Sequence, residues 1–133
     1  ASRSMISWPQ LEPSVARMVS GSILVVHTGW SRHWRSPAYL DHPYLGQDAA
    51  EGIVAAGVRT VAIDAMSVDE TPPAGGYVAH DVLLGAGGAI VENLTNLDAV
   101  DFDQALLSVL PIRLADADGA PVRAVALQLE WSV

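Results

Sequence analysis

The sequence predicts an α/β protein, a mixed and largely parallel sheet with flanking helices, in one domain over residues 1–133. Two apolar runs predict the sheet. Ile23-Leu-Val-Val26, within Ser22 to His27 and bounded by Gly21 and Gly29, and the stretch Val58 to Asp64 are continuous rather than alternating, as strands covered on both faces are. Between them, Asp48 to Ala56 holds good helix formers and stops at Gly57, a natural left-handed cap. A strand, helix, strand unit of this kind pairs its strands in parallel.

The remaining elements follow in order. Ser7-Trp8-Pro9-Gln10 has the form of a capping box with proline in the first turn, and Leu11, Val15, Met18 and Val19 then recur on one face, predicting a helix from Trp8 to Ser20. The Ser22 to His27 strand reads as a central one. Trp30 to Gly46 holds two each of Trp, Tyr, His, Arg and Pro without periodicity, and reads as a long aromatic loop. Asp64 to Gly76 is a second loop, at the carboxyl end of a parallel strand where ligand sites favour lying. His80 opens a short helix that breaks at Gly85, and Ile90 to Leu94 is a buried strand. Leu97 to Leu107 reads as a short helical or irregular connection. Leu110 to Leu114 and Val122 to Leu129 flank the turn Asp116-Ala-Asp-Gly119 as a hairpin closing the sheet. There is no internal repeat or linker.

Composition excludes several function classes. Fifteen acidic against seven basic residues give a net charge of -8, opposite to the clustered cations of a nucleic-acid binder. No apolar run approaches the length of a membrane span, and nothing at the start reads as a signal peptide, so a soluble, cytoplasmic protein is expected. Without cysteine, a metal could be held only by His, Asp or Glu.

The stretch from His80 to Glu92 carries the most chemistry. A helix that starts with an imidazole, a reversal through Gly85, Gly87 and Gly88, and a strand ending in a carboxylate can bring both ends of the segment to one point. His80 and Glu92 could then serve as two ligands of one metal, or as a ligand and a proton-transfer group, with their polar atoms roughly 3 to 5 Å apart. The plainer reading is a helix-start histidine and a strand-end charge.

Five segments in order resemble the cyclase family of metal-dependent hydrolases, which includes arylformamidase (kynurenine formamidase) and isatin hydrolase. They are Val25-Val-His-Thr-Gly-Trp30; Val61-Ala-Ile-Asp-Ala-Met-Ser-Val-Asp69; His80-Asp-Val-Leu-Leu84; Ile90-Val-Glu-Asn-Leu94 with Asn96-Leu-Asp98; and Ala117-Asp-Gly-Ala-Pro-Val-Arg-Ala-Val125. The resemblance implies the carboxyl-terminal part of a swivelling β/β/α fold and places His80 and Glu92 at a metal centre. It also implies hydrolysis of a small amide, lactam or related carbonyl compound by metal-activated water, and assembly as a dimer or tetramer. Glu92 would be ligand or base, and His80 ligand or proton carrier. The family's motif H-x-G-T-H-x-D-x-P-x-H, which supplies most of its ligands, has no counterpart here. Two ligands are fewer than a stable zinc or manganese site uses, so this chain alone is expected to bind metal weakly and to show no appreciable turnover. The alternative is a catalytically silent binding or assembly module.

Other residues are weighed individually. Trp30, Trp34, Tyr39 and Tyr44 are candidates for the wall of a pocket for a small, planar aromatic substrate, or for ordinary packing or an oligomer contact. Asp64, Ser67 and Asp69 lie near the presumed site, Asp64 more as a loop cap than as a catalytic group. His27 reads as a satisfied core or edge histidine, and His33 and His42 as surface loop residues. Arg123 reads as the partner of an acid within the fold, with a substrate carboxylate as the lesser possibility.

Overall fold

Strand order in this protein follows from where apolar side chains are covered on both faces. A computed structural model describes residues 1–102 and 105–128. Its chain forms two compact units, Ala1–Leu97 and Asp98–Val133. In the first, β1 (Met5–Ile6), α1 (Trp8–Val15), β2 (Ile23–Val26), β3 (Tyr44–Leu45), α2 (Gln47–Ala55), β4 (Thr60–Ile63), α3 (Val78–Gly85) and β5 (Ala89–Val91) follow one another. Strands β2, β4 and β5 form a parallel sheet in that order, with Ile23 opposite Thr60 and Thr60 opposite Ala89.

The central strand is therefore β4, and β2, expected at the centre, pairs on one side only among the described residues. Burial explains the difference. Val61, Ala62 and Ile63 are all fully buried, whereas Val25 of β2 is 38% exposed, so its apolar run is covered on one face alone. Helix α2 lies between the two strands in sequence and buries Ala49, Ala50 and Ile53 completely. Both α2 and α3 end in the same hydrogen-bonded cap. Gly57 and Gly87 adopt φ of 85° and 74°, and Val58 N–H and Gly88 N–H reach back to the carbonyls of Ile53 and Leu83.

Three segments depart from expectation. Helix α1 keeps its capping box, with the Ser7 N–H donating to Gln10 Oε1 at 2.8 Å, but stops at Val15 rather than Ser20. Pro13 removes a helical donor, and Arg17 and Met18 bond three residues back, to Ser14 and Val15, as a tightened turn does. The aromatic loop is more regular than expected: 3-10 turns at Trp30–His33 and Pro37–Asp41 lead into β3, which pairs in parallel with β1. The connection from Leu97 begins as a 3-10 turn at Leu97–Ala99 and already contains strand β6 (Ala105–Ser108).

In the second unit β6 pairs antiparallel with β7 (Val125–Gln128), and the same register continues through the bridge Pro111–Val122 to a reversal at Asp116, whose φ is 53°. The hairpin is thus present, but its first strand precedes Leu110, since Pro111 has no N–H to extend a ladder. Among the described residues the two strands form a sheet of their own, where closure of the parallel one was expected, and Leu129 lies outside the described residues. No helix among the described residues is long and apolar enough to cross a membrane.

Candidate functional site

The carboxyl ends of the three parallel strands deliver the site. His27 and Thr28 follow β2, the loop from Asp64 to Asp69 follows β4, and Glu92 and Asn93 follow β5. Helix α3 returns the chain so that His80, in its first turn, faces Glu92. Their Nε2 and Oε1 atoms are 3.6 Å apart, within the separation expected from the glycine-rich reversal. This distance is too long for a hydrogen bond between them.

Each member is held from behind. Glu92 Oε1 accepts the Val68 N–H at 3.0 Å. Asp69, 4% exposed, accepts the Ala79 N–H on Oδ1 at 2.7 Å and the His80 N–H on Oδ2 at 3.1 Å, and the same Oδ2 lies 2.6 Å from His80 Nδ1. One carboxylate thus caps α3 and grips the ring. Asp64, fully buried, accepts the Thr28 N–H and hydroxyl on Oδ1, both at 2.7 Å, as a loop-tying aspartate should. Its Oδ2 has no hydrogen-bond partner among the described residues and lies 3.9 Å from Nε2 of His27, an exposed ring at the strand edge.

The aromatic candidates separate. Trp34 and Tyr39 stand edge to face at 5.1 Å and line a cleft of about 280 Å³ with Ser31, Asn93, Leu94 and Thr95. Trp30 is buried in the core with its indole N–H donated to the Ala38 carbonyl, and Tyr44 sits in β3 opposite Met5, neither lining this cleft. The Tyr39 hydroxyl donates to Asn93 Oδ1 at 2.9 Å. Burial pushes its phenol above the ordinary 10.0, and the charges of Asp64 and Glu92 push the same way.

Histidine placement corrects one expectation. His42, read as a surface residue, is 1% exposed, its ring nitrogens bonded to the Pro43 carbonyl and the Thr71 hydroxyl at 2.9 Å each. His33 stacks at a tilt on Trp30. Arg123 is exposed.

Sequence reasoning missed Asn93 and the grip of Asp69 on His80. Asn93 had a signal, since asparagine tolerates the left-handed φ of 60° that turns the chain after β5. Asp69 had none, because an irregular loop separates it from α3 and fixes no spacing.

As metal donors, His80 and Glu92 offer one nitrogen and one oxygen. Among the described residues no group of three or more His, Asp or Glu is arranged to hold an ion.

The profile of the Cyclase family matches residues 2–70. That span covers Asp64 and Asp69 and stops before His80. Kynurenine formamidase of Bacillus mycoides is 40% identical over 96 residues, which are 71% of this chain and 45% of the relative. The chain spans about half the length of the curated relatives it matches. Among solved structures, an isatin hydrolase bound to the product analogue thioisatinate superposes with a TM-score of 0.79 at 21% identity, over 96% of this chain and 54% of that one. A potential metal-dependent hydrolase with cyclase activity gives 0.74 at 23%, over 92% and 58%. At these identities the superpositions establish the fold. With the strand order, the ordered motifs and the profile in agreement, the chain belongs to the cyclase family.

Proposed function

We propose that the protein is a metal-dependent hydrolase acting on a small amide, lactam or related carbonyl compound, with His80 and Glu92 as two ligands of a divalent zinc or manganese ion. One observation carries the reading. His80 Nε2 and Glu92 Oε1 lie 3.6 Å apart, too far to hydrogen-bond each other and near enough to share one divalent ion, at the carboxyl ends of the parallel strands. Imidazole nitrogen and carboxylate oxygen suit both metals but fill only part of a coordination sphere. The remaining ligands are assigned to a segment of the form H-x-G-T-H-x-D-x-P-x-H, which this chain lacks. The activities named for the kynurenine formamidase and isatin hydrolase relatives support the substrate class.

A bound metal would supply Lewis acidity and bring the pKa of water towards neutrality. The side chains of this chain do the rest. Val68 fixes one oxygen of Glu92, which leaves the carboxylate placed to hold a ligand position or take a proton. Tyr39 and Trp34 present apolar faces to a planar substrate, and the Tyr39–Asn93 bond keeps a polar edge in the cleft.

The test is Glu92→Gln in the full-length protein, a change of charge at nearly constant shape. Hydrolysis of an aryl formamide and the bound-metal content should both fall by about 100-fold or more with an unchanged circular dichroism spectrum. Full activity in that variant would move the catalysis elsewhere. The second reading is a silent binding or assembly module that keeps the fold without a metal centre. A full-length protein purified without metal, and unable to take it up, would establish that alternative.

A further inference from the structure

We propose that Asp69 is a positioning residue that sets the tautomer of His80, holding the proton on Nδ1 so that Nε2 is left as a bare lone pair facing Glu92. An ionised carboxylate only accepts hydrogen bonds, so the 2.6 Å contact between Asp69 Oδ2 and His80 Nδ1 requires the proton on Nδ1. The carboxylate is itself fixed against the start of α3, because it also accepts the backbone N–H groups of Ala79 and His80. On the opposite side the Val68 N–H fixes Glu92, so both acceptors of the pair are oriented from outside.

The tautomer can be read without metal or substrate, and its outcome is therefore independent of the hydrolase reading. Long-range proton–nitrogen correlation spectra of the full-length, nitrogen-15-labelled protein, recorded metal-free at alkaline pH, should show His80 with a protonated Nδ1 and an unprotonated Nε2. In Asp69→Asn the amide NH2 can turn to the ring, donate to Nδ1 and drive the proton to Nε2, reversing the pattern. Asp69→Ser is too short to grip the ring, and its circular dichroism spectrum separates a folding defect from loss of positioning. It should fold and lose the Nδ1–H preference. A wild-type ring protonated on Nε2, or a Ser variant with the wild-type pattern, would overturn the proposal. Zinc titration of the same proteins adds a second readout, with affinity expected to fall about 10- to 100-fold in Asp69→Asn while His80 and Glu92 are intact. Failure of the wild type to bind zinc would count against the hydrolase reading and leave the tautomer result standing.

Discussion

At the scale of single residues, Tyr39 ties the cleft to the charged end of the site. Its phenol is raised because ionising it would place a charge in a buried position near Asp64 and Glu92. In the unfolded chain the phenol has its ordinary pKa, and below about pH 10 it is neutral in both states and contributes nothing to any difference. Above that value the unfolded chain ionises first, so stability falls as pH rises through the raised folded pKa. Urea midpoints at about pH 9 and about pH 11 should therefore drop further for wild type than for Tyr39→Phe. An equal drop in both proteins would remove Tyr39 as the cause. His80 and Glu92 were legible in the sequence because a short glycine-rich reversal limits where its ends can go. The residues that hold them were less so, because Asp69 and Val68 reach His80 and Glu92 through tertiary approach and no local period records it.

The element that matters most is the α3–β5 reversal, since it fixes the distance from His80 to Glu92. Its cap was readable from the glycines, but the sequence could not show which of them touches other backbone. A Cβ on Gly88 would lie 2.7 Å from the Leu83 carbonyl oxygen and 2.8 Å from that of Arg59, atoms that cannot rotate aside. Gly88→Ala should cost about 1 to 3 kcal/mol and displace β5 against β4, carrying Glu92 with it. Gly85, near the end of the same helix, meets nothing within 4 Å, and Gly85→Ala should instead stabilise by up to about 1 kcal/mol. Denaturant midpoints of the two variants should move in opposite directions; a shift of the same sign in both would show that the reversal is looser than its contacts indicate. Elsewhere element type was legible and element limits were not. Apolar periodicity ran on to Ser20, while Pro13 and the tightened turn at Met18 had already ended α1.

For the whole molecule, the α/β class and the parallel pairing followed from continuous apolar runs joined by a helix, whereas the position of β2 did not, because an apolar run does not say which of its faces is covered. That uncovered surface bears on assembly. Beside β2 a groove of about 340 Å³ is lined by Leu24, Val25, Val26, Ile6 and Leu11, and Val25 is exposed. In the hairpin, Leu106 and Leu127 are direct cross-strand partners, 51% and 48% exposed, and Leu110, Ile112 and Leu114 are exposed as well. Adjacent apolar side chains on one face of a two-stranded sheet are the kind of surface that a partner covers, and a hairpin of this size gains stability from such packing. We therefore expect the chain to self-associate, as a dimer or tetramer, at micromolar concentration. Replacing the pair as Leu106→Lys with Leu127→Glu removes the apolar face yet leaves opposite charges across the ladder, so the hairpin itself should survive. Sedimentation should then show wild type above the 14.0 kDa of one chain and the double variant shifted towards it, with circular dichroism unchanged. A wild-type monomer with cooperative unfolding would mean that the exposed leucines are tolerated in water and that the chain closes its core without a partner.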